Sequence, residues 1–167
     1  MRPGVRLGID VGTVRIGLAA SDPHGMLATP IRTVPRGGAD SGGVETGGVE
    51  TGEAVRQILD ESAVRSAVEI IVGLPLALSG KDSASTQDAR DFAARLAEAS
   101  DIPVRMVDER LSTVSATRAL RASGRNSKRS RSVIDQVAAV IILQHALDAE
   151  RSRGTPPGAV VEPNERR

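Results

Sequence analysis

The chain has 167 residues, 40% of them hydrophobic, which suits one ordinary domain with a core and is too short for two substantial ones. A formal net charge of +1 selects no partner by itself, so any affinity for nucleic acid must come from where the charges sit. With no Cys and two His, disulfides and thiolate metal sites are excluded, and a histidine-rich zinc site nearly so.

In chain order, the pattern predicts three strands first. Val5, Leu7 and Ile9 alternate with Arg6, Gly8 and Asp10, giving a strand over 5–10 that ends in a carboxylate. After a tight turn at Gly12, "RIGLAAS" at 15–21 reads as a second strand, "DPHG" at 22–25 as a turn and "MLATPIRTV" at 26–34 as a third strand. Pro30 marks that third strand as an edge. The pentamer "GGVET" then occurs twice, at 42–46 and 47–51, and the Gly-rich stretch 37–52 reads as a flexible surface insert.

Helical pattern follows at about 53–66, and "EIIVGLPL" at 69–76 is a near-continuous apolar run, as expected of a central parallel strand covered on both faces. Ser83 or Ser85 starts a helix whose Ala89, Phe92, Ala93, Leu96 and Ala97 share one face. "PVRMVDE" at 103–109 reads as a fifth strand, and Ser112 can cap a short helix to about 122. A basic loop at 124–131 leads into a mostly apolar helix from 132 to about 150. The tail, 152–167, carries Pro156 and Pro157 side by side and reads as disordered, leaving 1–151 as the domain. The whole is a mixed α/β domain, an antiparallel meander followed by parallel crossover units. No apolar run approaches the roughly 18 residues of a membrane span, so the chain is expected to be cytoplasmic with no membrane partner.

Three acids stand out, each with a merely local reading. Asp10 could start a turn, Glu109 could be a strand-end acid beside Asp108, and "SVID" at 132–135 resembles a capping box that would make Asp135 a dipole partner. Together they point elsewhere. Asp135 precedes Ala138, Ala139 and Ile142 on a small apolar helix face that should pack on the sheet. Asp10 and Glu109 end strands that should run parallel, at the rim where α/β sheets bind ligands. Carboxylates gathered there repel unless cations lie between them. Oxygen-only ligands suit Mg²⁺ or Mn²⁺, and a pair of such ions roughly 4 Å apart can drive phosphodiester hydrolysis. Asp10, Glu109 and Asp135 are thus candidate metal ligands and catalytic acids.

The basic residues supply the other half. "TRALRASGRNSKRSRS" at 117–132 carries Arg118, Arg121, Arg125, Lys128, Arg129 and Arg131 and no acid. A charge run of this kind is often only a solvated loop. Here it leads into Asp135, so a nucleic-acid backbone held by Arg125, Lys128, Arg129 and Arg131 would lie beside the acids. Arg15, just past the first turn, can hold either the Asp10 loop or a phosphate. Phe92 is the only aromatic, which rules out base-stacking platforms and leaves RNA and DNA undistinguished.

"GIDVGTVRIGLAASD" at 8–22, "IVGLPLALSG" at 71–80, "DERLSTVSA" at 108–116 and "VIDQVAAVIILQ" at 133–144 resemble, in order, the blocks of the YqgF/RuvX family. The resemblance implies an RNase H-like fold related to the junction resolvase RuvC, a five-stranded sheet of order 3-2-1-4-5 with helices on both faces. It also implies a metal-dependent nuclease maturing the 5′ end of pre-16S rRNA, with four-way DNA junctions as the alternative substrate. A resolvase would need two sites and hence a homodimer. By motif, Asp10 is the first-strand acid, Glu109 the acid of the "DER" block and Asp135 the helix acid. One departure stands out: in related nucleases the second acid ends the fourth strand, whereas here that strand ends in Val72-Gly73-Leu74-Pro75. Strand parity also lets only one of Asp108 and Glu109 face Asp10, and Glu109 is favoured.

Two other readings compete. "DVGTVRIG" also resembles the phosphate loop of actin-like ATPases and sugar kinases, but those clamp ATP between two lobes and this chain has length for one. The other is a non-catalytic nucleic-acid-binding assembly factor, which would use the same basic residues and leave the acids without work.

Overall fold

The computed structural model describes residues 1–36, 47–77, 79–109 and 128–163. Alternating apolar residues make β1 (Arg6–Val11), β2 (Arg15–Ser21) and β3 (Ala28–Pro35), joined as an antiparallel meander. Helix α1 (Gly47–Val64) leads to β4 (Glu69–Leu74), α2 (Ala84–Ala99) to β5 (Val104–Asp108), and α3 (Lys128–Arg153) to β6 (Ala159–Val160). The sheet order is β3-β2-β1-β4-β5-β6, with β1, β4 and β5 mutually parallel. The expected 3-2-1-4-5 order holds, with one strand added, and Pro30 does lie in an edge strand. A register shift falls between Leu18 and Ala19, opposite Pro30, where that residue has no N–H to give the ladder.

The two faces of the sheet are covered differently. Leu7, Ile9, Ile16, Leu18, Ile70 and Val72 point to the α1–α2 side, where they pack with Ile58, Phe92 and Leu96. The opposite face carries smaller residues, and Ala138, Ala139, Ile142, Leu143, Ala146 and Leu147 of α3 lie against Ala19, Ile71 and Val107. Ser83 caps α2 through a reciprocal capping box with Thr86, as its position in the sequence suggested.

Three boundaries differ from expectation, for physical reasons. α1 begins at Gly47, inside the stretch read as a loop; its apolar face of Ala54, Val55 and Ile58 is buried, and packing outweighs the poor helix propensity of glycine. The rest of the Gly-rich insert, 37–46, lies outside the described residues, as does the short helix expected from Ser112. α3 begins at Lys128, so the expected basic loop is helical from there on, and Ser132 is interior to the helix and not its cap. Finally, the C-terminal segment is partly ordered: β6 pairs antiparallel with β5, and the Val161 N–H donates to the Val104 carbonyl at 2.8 Å. Gly158 permits this, with φ of 64° and a Cα so close to β5 that a Cβ would stand 2.0 Å from the Met106 carbonyl oxygen.

At the amino ends of β1 and β4, the α3 face carries a buried ion network. Arg6, 1% exposed, lies 3.5 Å from Glu150 of α3 and 4.0 Å from Glu69. Arg2 reaches both acids at 2.9 Å, and Arg105 donates to Glu69 at 2.6 Å. Arg6, Glu69 and Glu150 are withdrawn from water while Arg2 and Arg105 stay partly exposed, and ion pairing offsets the burial even though Arg6 Nε and Nη2 make no hydrogen bond. The network fastens the end of α3 to the sheet at the edge away from Asp10.

Candidate active site

β1, β4 and β5 end at one rim, and two of the three candidate acids come directly from those ends. Asp10 is the penultimate residue of β1 and Glu109 the residue after β5; Asp135 is on α3, which covers that face. All three are buried, at 1%, 4% and 4% exposure. Carboxylates are not placed in such surroundings without compensation, so a shared local cause is needed.

Two glycines supply the room. Asp10 pairs across β2 with Gly17. On its other side Ile9 is level with Val72 of β4, so the next step along both strands sets Asp10 beside Gly73. A Cβ on Gly17 would stand 2.1 Å from the Asp135 carbonyl oxygen, and one on Gly73 would stand 2.0 Å from Glu109 Oε1. Asp10 thus lies in a row with a bare backbone to either side, one taken up by α3 at Asp135 and the other by the Glu109 carboxyl. The absence of an acid at the end of β4 has its explanation here: Glu109 leans across β4 from β5 into the space that Gly73 leaves. The Glu109 N–H donates to the Leu74 carbonyl at 3.2 Å, which anchors the residue just past the strand. Asp108 is exposed and Glu109 buried, so the two adjacent acids take opposite surroundings.

Asp135 is in the second turn of α3, and the first turn holds no acid. The capping-box reading of 132–135 therefore fails, because the helix starts at Lys128, five residues before the start that a cap at Ser132 would require. Arg15 opens β2 and donates from Nε to Asp135 Oδ2 at 3.1 Å, while its carbonyl closes the preceding turn by accepting from the Gly12 N–H at 2.9 Å. Among the described residues, no group of three or more Asp, Glu and His side chains is drawn in as a ready metal cage. The described cation at this rim is instead a protein one, Arg15 on Asp135.

Of the basic residues, Lys128, Arg129 and Arg131 occupy the first turn of α3, one to two turns before Asp135. Arg125, with Arg118, Arg121 and Ser112, lies outside the described residues. The sequence reading missed Gly17 and Gly73 as parts of the site. The signal was present, since a glycine inside a strand often marks close approach by another group. No helix among the described residues is long and apolar enough to cross a membrane.

The chain resembles known proteins over nearly its whole length. A protein from Clavibacter sepedonicus named "Putative pre-16S rRNA nuclease" is 60% identical over 164 residues, covering 98% of this chain and 95% of that protein. One of the same name from Leifsonia xyli subsp. xyli is 58% identical over 163 residues, covering 98% and 97%. Among solved structures, Thermus thermophilus RuvC in complex with a Holliday junction substrate superposes with a TM-score of 0.57 at 16% identity, over 93% of this chain and 99% of that one. The fold is therefore the RNase H-like fold of RuvC. A family model described as RuvX, Holliday junction resolvase, matches residues 4–149, and the chain belongs to the RuvX family.

Proposed function

We propose that the chain is a divalent-metal-dependent nuclease that hydrolyses phosphodiester bonds in maturation of the 5′ end of pre-16S rRNA. Asp10, Glu109 and Asp135 are its catalytic and metal-holding acids, within a nuclease domain that runs past 151 to include β6. The observation that carries this reading is the row Gly17–Asp10–Gly73, over which Asp135 and Glu109 are drawn toward one strand-end carboxylate. A structural role for any one acid would need no such space beside both neighbours.

The donor set is carboxylate oxygen with no His or Cys, which fits a hard cation such as Mg²⁺ or Mn²⁺, as one ion or a pair. Bound there, such ions supply an activated water and charge stabilisation for the leaving oxygen. The chain's own residues do the rest. Asp10 is fixed by its strand and Asp135 by its helix, so neither must be ordered when substrate arrives. Arg15, 21% exposed, pairs with Asp135 and would be open to a substrate phosphate docked at this rim. Lys128, Arg129 and Arg131 place positive charge at the N-terminal end of α3, where it opposes the helix dipole. An anionic backbone docked there, helped by Arg125, makes that placement favourable.

The names of the relatives favour pre-16S rRNA, and a cytoplasmic setting is the one in which such a substrate would be met. The description of the family model favours a second reading, resolution of four-way DNA junctions, which would require a homodimer to cut two strands symmetrically. One assay separates them: labelled pre-16S leader RNA and a four-way junction, each with Mg²⁺, Mn²⁺ or EDTA, cut by wild type and Asp10→Asn. Metal-dependent cleavage of RNA alone, lost in Asp10→Asn with binding kept, is the expected result. Paired symmetric cuts in the junction would establish the second reading. Binding of both substrates without cleavage would make the chain an assembly factor.

A further inference from the structure

We infer that Arg36 is a positioning residue, holding the turn behind Asp10 against α2 and so fixing Asp10 and Arg15 relative to the end of β4. The inference rests on the nuclease reading. Arg36 is the first residue past β3, and each partner seen for it among the described residues bears on that turn or on α2. Its N–H donates to the Val14 carbonyl at 2.9 Å, and Nη1 donates to the Gly12 carbonyl at 3.0 Å. The same guanidinium forks onto Asp88 of α2, with Nη1 to Oδ2 at 2.5 Å and Nη2 to Oδ1 at 2.7 Å. Its Cζ also lies 5.4 Å from the ring centroid of Phe92, which is fully buried beneath it.

Gly12 and Val14 belong to the short link between Asp10 and Arg15, so two of these contacts grip the link itself. The other end of the clamp is equally placed. One turn or less before Asp88, the buried Thr86 hydroxyl donates to the Pro75 carbonyl, just beyond β4. Next to it, the Leu74 carbonyl receives the Glu109 N–H. A continuous run of polar contacts thus joins the turn behind Asp10, through Arg36, Asp88 and α2, to the strand end that Glu109 crosses. Bidentate arginine is suited to this, since its planar fork fixes direction as well as distance, and lysine cannot span both acceptors.

The test compares Arg36→Lys with Arg32→Lys. Arg32 makes a similar clamp elsewhere, from β3 to Glu61 at 2.7 Å and Gln57 at 3.1 Å of α1, away from the Asp10 turn. On the pre-16S leader with Mg²⁺, kcat for Arg36→Lys should fall about 10- to 100-fold with KM within about 2-fold, as expected for a displacement of up to 1 Å at the reacting groups. Arg32→Lys should keep the wild-type kcat. Amide hydrogen exchange, which needs no activity, should show faster exchange at residues 12–15 in Arg36→Lys alone. Equal kcat in the two variants, a change in KM only, or unaltered exchange in the turn would each overturn the inference. Wild type that cuts nothing would defeat the nuclease reading instead, and the exchange result would then decide the positioning role by itself.

Discussion

Arg15 Nε lies 3.1 Å from Asp135 Oδ2, so the described cation facing the helix acid belongs to the chain itself. The pair is partly buried and joins the first residue of β2 to the second turn of α3. A tethered cation at that carboxylate competes with any ion that shares it. Arg15→Gln should therefore tighten Mn²⁺ binding, measured by titration calorimetry, by about 3- to 10-fold, the scale of a partly exposed charge interaction. The same substitution should raise KM for the nucleic acid, because a phosphate contact goes with it. Unchanged Mn²⁺ affinity would mean that Arg15 and the ion do not meet at Asp135.

Asp108 and Glu109 are adjacent acids in opposite surroundings, one exposed and one 4% exposed over Gly73. Glu109→Gln should lower cleavage by about 100-fold or more, since even the outer partners of metal ligands are worth 10- to 100-fold. Asp108→Asn should remain within a few-fold of wild type. The two rates measured side by side at saturating Mg²⁺ check the assignment, and a reversed order would transfer the role to Asp108.

The two glycines beside Asp10 should fail differently. A Cβ at Gly73 meets the end of the Glu109 side chain at 2.0 Å and Ile142 Cδ1 at 2.6 Å. Gly73→Ala should therefore stay folded, at a cost of about 1–3 kcal/mol, while turning Glu109 away and abolishing cleavage. A Cβ at Gly17 meets helix backbone, the Asp135 carbonyl oxygen at 2.1 Å and carbon at 2.6 Å. Backbone cannot rotate aside, so Gly17→Ala should unseat α3 and cost more than about 3 kcal/mol. Urea unfolding beside a cleavage assay separates the two cases.

The strands and their faces were legible because each alternates or runs apolar as its burial requires. Asp10 and Glu109 were legible because they interrupt that pattern at strand ends, and Asp135 because it stands on a small apolar helix face. What Glu109 does was not, since its reach across β4 depends on a glycine 36 residues earlier and on a pairing that no local pattern encodes. The start of α3 was hidden because Lys128 to Arg131 show no apolar period, although straight-chain basic residues are good helix formers. β6 was hidden for a similar reason: Pro156, Pro157 and Gly158 read as a tail, yet they form the turn that docks two residues on β5. The Arg36 clamp and the ion network around Arg6 depend wholly on long-range placement. Sequence gives such residues only as charges among 26% charged residues.

That network makes stability depend on pH in a definite direction. Hydrogen bonds from Arg2, with further help from the nearby Arg6, hold the Glu150 carboxyl down at about 2, against an ordinary value of 4.5. A depressed carboxylate stabilises the fold above its unfolded value and loses that contribution as pH falls toward the folded one. The window is thus pH 4.5 down to about 2, and the contribution in full is about 3 kcal/mol at neutral pH. Glu150→Gln removes the titration and leaves Arg6, 1% exposed, short of one counter-charge. The variant should therefore be less stable than wild type by about 3 kcal/mol or more at pH 7. As pH falls below 4.5, wild type should lose stability through Glu150 and the variant should not, so the gap should narrow. Urea midpoints for both proteins at pH 7, 5 and 3 measure it. A gap that stays constant across that range would show that the ion pair to Glu150 contributes nothing, and that only the packing of α3 holds this end of the sheet.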